Sequence, residues 1–243
     1  MKGGGIAKLA FPATVVGLVF SDVPGDDFSD VASGPTYKDN TTIFDAMKLV
    51  KENRLGSFRL IETPKEDKYF ENVFNFVLVS NKIAVSKMSE KAKELNLEVS
   101  ILSTDIYEDV DTTLDKIFAL KKENGGVVLA AGEPEIVVPH NAGKGGRNLH
   151  MGLDSLVRGK IDENSVFISF ASDGMDNNNS SAAGAIVDIQ TKNKIEKMNL
   201  SPSLYLKRFD SYSIFELTKD LIKTGPTGAN VSDLMVLVNQ KAS

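Results

Sequence analysis

Gly143-Lys144-Gly145-Gly146-Arg147-Asn148 places a guanidinium, an ammonium and three glycines in six residues, directly ahead of an apolar-periodic stretch. Glycines let successive N–H groups point into one concavity, and the first turn of a helix leaves its own N–H groups unpaired at the positive end of the macrodipole. A phosphate or carboxylate is the ligand this arrangement suits. Arginine is scarce here, five residues against twenty-three lysines, which singles Arg147 out from ordinary surface charge. Its planar fork binds oxyanions at two points where Lys144 offers one. The competing reading is a solvated loop whose charges are incidental.

Other polar motifs sit where the chain leaves apolar runs. Ser21-Asp22-Val23-Pro24-Gly25-Asp26-Asp27 and Ser33-Gly34-Pro35-Thr36 follow the first run, and Ser172-Asp173-Gly174-Met175-Asp176 follows a later one. Thr224-Gly225-Pro226-Thr227-Gly228 echoes the earlier Ser-Gly-Pro-Thr, so that Ser33, Gly34, Thr36, Thr224 and Thr227 could bracket anions, although such clusters are also common turn chemistry. Phosphoryl transfer asks for a backbone cradle, a fixed cation, carboxylates for a metal and a group to position the nucleophile. Gly143 to Gly146 supply the cradle and Arg147 and Lys144 the cations, with Lys144, Gly145, Gly146 and Asn148 as candidate phosphate contacts, leaving metal or base roles to Asp22, Asp26 and Asp173. A GxxxxGK[ST] loop, a GxGxxG fingerprint and a GxSxG elbow are all missing, and with two histidines and no cysteine a His-rich or thiolate metal site is not supported.

These motifs need strands and helices to position them. Val15 to Phe20 reads as a strand buried on both faces, and further strands are expected at 73–79, 97–102, 127–131, 166–170 and 234–238. Helical stripes run through Ile43, Phe44, Met47 and Val50 after a Thr41 cap, through Ala84, Met88, Ala92 and Leu95, through Leu114, Ile117 and Phe118 up to Gly125-Gly126, and through Leu149, Leu153, Leu156 and Val157. Residues 182–187 fit either strand or helix, and 191–220 fit short helices and loops. The alternation predicts an α/β fold with a mostly parallel or mixed sheet flanked by helices. Ligands of such sheets collect beyond the carboxyl ends of the strands, where the motifs fall. A polar stretch around Pro64 places a domain boundary at 68/69.

At 243 residues, with 42% hydrophobic and 25% charged residues, the chain suits one large or two small soluble domains. A net charge of -5 with scattered lysines argues against a nucleic-acid partner, and no apolar run approaches a membrane span or a signal peptide, so the expectation is a cytoplasmic protein.

The Ser-Asp-Val-Pro-Gly-Asp-Asp and Ser-Gly-Pro-Thr segments, Gly-Lys-Gly-Gly-Arg-Asn, Ser-Asp-Gly-Met-Asp with 182–188, Asp210-Ser211-Tyr212 and 224–234 together resemble, in order along essentially the whole chain, the glycerate kinases with a MOFRL C-terminal domain. The resemblance implies a MOFRL-type domain over 69–243, preceded at 1–68 by the C-terminal part of a Rossmann-like domain. It also implies phosphorylation of D-glycerate by ATP with Mg²⁺, the product being 2- or 3-phosphoglycerate, with Arg147 matching the family's transition-state arginine. Met1 to Ala7 is similar to a segment well inside the family's first domain, so a glycine-rich nucleotide loop and a proposed catalytic lysine are expected to lie upstream of what this chain contains. Leu149-His150 stands where the family has Gln-Glu, and Asn177-Asn178-Asn179 replaces a Gly-Pro-Thr-like sequence. A first strand without upstream neighbours exposes an apolar face, which leads to the expectation of a separately encoded N-terminal half, a longer parent protein or self-association. Two further readings remain at this level: a non-catalytic anion- or partner-binding module, and a hydroxypyruvate reductase.

Overall fold

The computed structural model describes residues 1–23 and 27–241. The chain divides into two compact units, Met1–Val79 and Ser80–Ser243.

In the first unit a short helix, α1 (Gly5–Ala10), precedes strand β1 (Val15–Ser21), helix α2 (Ile43–Glu52) and strand β2 (Val73–Ser80). Helix α2 starts at a capping box: the Thr42 hydroxyl accepts from the Asp45 amide while the Asp45 carboxylate accepts from that of Thr42. The cap is thus Thr42, one residue beyond the expected Thr41, because only Thr42 has its third neighbour carrying a carboxylate that can reach back. β1 and β2 pair in a two-stranded sheet. The units divide after Val79 where sequence placed a boundary at 68/69, and β2 stays with the first unit because its partner is β1.

β1 is not buried on both faces as its composition suggested. Val15, Gly17 and Val19 are half-buried, whereas Val16, Leu18 and Phe20, with Phe74, Phe76 and Leu78 of β2, are between 47% and 63% exposed. Gly17 lies against the Asn75 side chain, so the six exposed apolar residues share the opposite face. Period-2 burial with apolar residues at most positions of both faces marks strands meant to be covered on both sides.

The second unit is built on a six-stranded sheet. Its elements are α3 (Asn81–Glu94), β3 (Val99–Ile101), α4 (Val110–Ala119), β4 (Gly126–Gly132), α5 (Arg147–Val157), β5 (Ser165–Ala171), β6 (Gly184–Val187), α6 (Ile189–Lys197), α7 (Pro202–Lys207), α8 (Ser211–Thr218), β7 (Leu221–Ile222) and β8 (Asp233–Asn239). The strand order is β3-β4-β8-β5-β6-β7. Only β3 and β4 run parallel; the other pairings are antiparallel, so the mixed sheet is realised and a mostly parallel one is not. The reason is β8, which returns from the far end of the chain to lie between β4 and β5.

β4 is buried along its whole length. One side of the sheet packs Val128, Phe167, Met235 and Leu237 against Leu114 and Ile117 of α4, Leu149 and Leu153 of α5 and Phe215 of α8. The other packs Val127, Leu129 and Leu234 against Val85 and Ala92 of α3. The α4 stripe ends at Ala119 rather than continuing to Gly125-Gly126, which instead leads into β4, and residues 184–187 are strand. No helix of the described residues is long and apolar enough to cross a membrane.

Candidate active site

The registry of β8 decides what meets at the end of the sheet. Asp233, its first residue, lies between Gly132 of β4 and Ala171 of β5. Glu133 continues from β4 and Ser172-Asp173 from β5, and the N-terminus of α5 arrives beside them through the glycine turn.

Arg147 is the first residue of α5. Its Nε donates to Asp233 Oδ2 at 2.5 Å and its Nη2 to Glu133 Oε1 at 2.6 Å, while Nη1 makes no hydrogen bond to a described residue. The side chain is 29% exposed and that of Asp233 only 2%, so the guanidinium is anchored at the rim of a buried carboxylate and does not wave in solvent. Burial works against its charge, but hydrogen bonds and attraction from Asp233, then Glu133, outweigh this and hold Arg147 protonated more firmly than in water. Burial likewise pushes the Asp233 carboxyl up, with Arg147 pulling against it.

The helix terminus behind Arg147 is already capped. Asp176 Oδ1 accepts from the amide and the side-chain nitrogen of Asn148, each at 2.9 Å, and its Oδ2 from the Leu149 amide at 2.9 Å. Burial raises its carboxyl to about 6 despite those donors, and Asp233 adds to the effect. Asn148, itself buried, accepts a hydrogen bond from Ser169 at 2.5 Å and so ties α5 to β5. Gly146 is required here: a Cβ would come within 2.3 Å of the Asp176 carbonyl oxygen.

Most amides of the glycine turn, expected to form a phosphate cradle, meet acceptors of the protein itself. The amides of Gly143, Lys144 and Gly145 donate to Arg208 O, Asp210 Oδ1 and Asn179 Oδ1, and those of Asn148 and Leu149 to Asp176. The protein's own acceptors have taken the place assigned to an anion, leaving only the Gly146 and Arg147 amides without an acceptor among the described residues. The Lys144 ammonium sits 3.5 Å above the Tyr212 ring, a cation–π contact.

Asp173 accepts from the Met175 amide at 2.9 Å, and its carbonyl receives the Thr227 amide at 3.1 Å. The Thr227 hydroxyl donates to Ser172 O at 2.6 Å, and the Thr224 hydroxyl to Gly225 O at 2.8 Å. Asp173, Thr224 and Thr227 thus form one turn assembly at the same sheet end as Arg147. Ser33, Gly34, Thr36 and Asp22 belong to the first unit. There the Ser33 and Gly34 carbonyls accept from the Gly3 and Gly4 amides at 2.8 and 2.7 Å, beside a cavity of about 480 Å³ that Lys2 and Lys38 also line. Thr36 turns elsewhere and donates to Asn75 at 2.8 Å. Asp26 lies outside the described residues. No group of three His, Asp or Glu residues placed to hold a metal ion occurs among the described residues.

Asp233, Glu133 and Asp176 carry the geometry yet were given no role by sequence. A signal existed for Glu133, which like Asp173 stands just beyond the C-terminal end of an apolar strand run, whereas Asp233 precedes one.

Residues 126–233 match the family described as MOFRL, and residues 1–60 match a domain of unknown function, DUF4147. The glycerate 2-kinase of Pyrococcus horikoshii is 32% identical over 98% of this chain and 58% of its own length. The D-glycerate 2-kinase of Thermotoga maritima is 32% identical over 97% and 59%. A crystal structure of glycerate kinase from Thermotoga maritima superimposes with a TM-score of 0.87 at 31% identity, covering 98% of this chain and 60% of that one. The chain therefore spans under two thirds of the length of these relatives.

Proposed function

The chain belongs to the glycerate kinase family, and we propose on that premise that it carries the phosphoryl-handling part of an enzyme that transfers phosphate from ATP to D-glycerate. The names of the relatives favour 2-phosphoglycerate as the product. A cytoplasmic location is kept as part of the proposal.

One observation carries the reading: a guanidinium fixed by two carboxylates through Nε and Nη2, with Nη1 left for a phosphoryl oxygen. An arginine locked in place before the substrate arrives stabilises developing charge without reorganising during the reaction, which is where such donors gain their effect. Glu133, Asp176 and Asp233 outnumber the one guanidinium, so a phosphate meets net negative charge here, a repulsion that Mg²⁺ bound to that phosphate would lessen. Mg²⁺ is thus proposed to arrive as part of the MgATP substrate, since the described residues do not by themselves make a magnesium site. Asp173, with one carboxylate oxygen committed to Met175, is assigned the acceptor role for the glycerate hydroxyl proton through the other. Thr224 and Thr227 shape that turn.

The exposed apolar face of β1 and β2 supports a further polypeptide in the active assembly, as a separately supplied N-terminal half or a second copy. The test is ADP formation from ATP, Mg²⁺ and D-glycerate by the purified chain, alone and mixed with the part of the Thermotoga relative that this chain does not match. Glycerate-dependent ADP is expected, and Arg147→Ala should lower kcat by about 10²–10³-fold. ADP formation independent of glycerate, or none in either mixture, overturns the reading. NADH oxidation with hydroxypyruvate would point to the reductase instead.

A further inference from the structure

Asn148 is the second residue of α5, just inside the N-cap Gly146, which has no side chain to cap the helix. Asparagine is a weak helix former at such a position, because its carboxamide competes for local main-chain partners and is favoured at the cap itself. Here the side chain turns inward, and the residue is 1% exposed. Its Oδ1 accepts from the Ser169 hydroxyl at 2.5 Å, and its Nδ2 donates to Asp176 Oδ1 at 2.9 Å. The same carboxamide hydrogen-bonds Asp233 and draws that carboxyl down against the effect of burial.

Two buried carboxylates thus share one neutral amide. Asp233 acts on Asp176 as a like charge, and a carboxamide can separate the two because it carries two N–H donors and an acceptor in one plane. A serine at this position would offer one donor, and an ionised aspartate none. The acids fix which way the plane lies, since a flipped amide would turn its oxygen toward them, and Ser169 then donates to the oxygen on the far side. What Asn148 holds is also what holds Arg147. Asp233 Oδ2 takes Arg147 Nε at 2.5 Å, and Asp176 closes the helical turn from which Arg147 projects. A donor lost between buried acids leaves acceptors without a partner, a state relieved only by moving the side chains concerned.

We infer that Asn148 is a positioning residue for the phosphoryl-transfer step: its carboxamide joins Asp176 to Asp233 and so sets the direction of the Arg147 guanidinium, leaving Nη1 for the phosphoryl group. The inference rests on the kinase reading for what Arg147 acts on. The positioning itself involves residues of the second unit alone.

The experiment reads the guanidinium directly. With five arginines in the chain, their Nε–H signals are few enough to resolve by proton–nitrogen NMR of the purified chain, and Arg147→Lys identifies the one from Arg147. In the unaltered chain the two Asn148 Nδ2 protons should exchange with solvent about tenfold or more slower than those of an exposed asparagine; exchange at the exposed rate overturns the inference. Asn148→Ala, with circular dichroism and the unfolding midpoint as checks on the fold, should shift the Arg147 Nε–H signal and speed its exchange by about tenfold or more. Asn148→Ser, with one donor in place of two, is read in the same way if Asn148→Ala does not fold. An Arg147 signal unchanged in a folded variant makes Asn148 a stabilising residue only and overturns the inference. In turnover with the unmatched part of the Thermotoga relative, kcat of Asn148→Ala should fall by about 10–10²-fold while the ATP KM stays within about threefold, the split expected when the affected contact is made only in the transition state. A displaced Arg147 signal without glycerate-dependent turnover by the unaltered chain would sink the kinase reading alone. Turnover with kcat unmoved in Asn148→Ala would sink this inference alone.

Discussion

A single arginine held between carboxylates makes stability and chemistry depend on the same atoms. Asp233→Ala would remove the buried partner of Arg147 and leave its charge to Glu133 and the rim solvent. A broken buried pair costs about 3–5 kcal/mol, and the remaining partner places the expectation near the lower end, measurable as a lowered denaturant midpoint. Asp176 gives a distinct pH signature. Its carboxyl, raised to about 6 in the fold from an ordinary 3.8, binds more protons folded than unfolded between those values. Its contribution is therefore complete below about pH 4 and is lost as pH rises through about 6. Unfolding curves of the unaltered chain and Asp176→Asn between pH 4 and 7 should show the unaltered chain losing part of its advantage over the variant as pH rises. An advantage that grew instead would mean that the three donors from Asn148 and Leu149 outweigh desolvation. Arg147 was legible in the sequence because arginine is rare here and sits in a glycine turn. Its partners were not, because an acid at position 233 meets position 147 only once the strand order is known.

At the scale of elements, most strands and the main helices were readable from apolar runs and periodicity, and strand ends fell close to expectation. The 184–187 stretch is ambiguous by composition, and its strand conformation follows from pairing with β5. Gly184 records that pairing: a Cβ there would lie 1.9 Å from the Ser169 carbonyl oxygen on β5. Gly184→Ala should therefore cost about 1–3 kcal/mol through forced backbone displacement, read as a fall in unfolding midpoint with unchanged strand content. Helix α5 shows the opposite limit. Its sequence advertises a vacant N-terminus, yet Asp176, nearly thirty positions downstream, fills it. Local sequence specifies that a helix needs a capping acceptor without saying whether a ligand or the chain itself provides one. The mixed sheet was illegible for a similar reason, since strand–helix alternation constrains the order of elements but not the direction in which the final strand returns.

For the whole molecule, the apolar face formed by Val16, Leu18, Phe20, Phe74, Phe76 and Leu78 sets behaviour in solution. A two-stranded sheet with one bare hydrophobic side is marginal by itself and seeks cover. Sedimentation of the purified chain should show concentration-dependent association that Leu18→Lys with Phe76→Lys reduces; a compact monomer that binds no hydrophobic dye would remove the case for a partner. The six-stranded sheet carries a different consequence. Because β8 follows the other strands of the second unit in chain order and is the one that joins β4 to β5, the nascent second unit leaves the ribosome as two unjoined half-sheets with opposing open edges. Translation must reach the codons for 233–239 before the halves can zip together. A nonsense or frameshift lesion just upstream would spare nearly every helix and still leave a product for proteolysis, lacking both its central seam and the acid that holds Arg147.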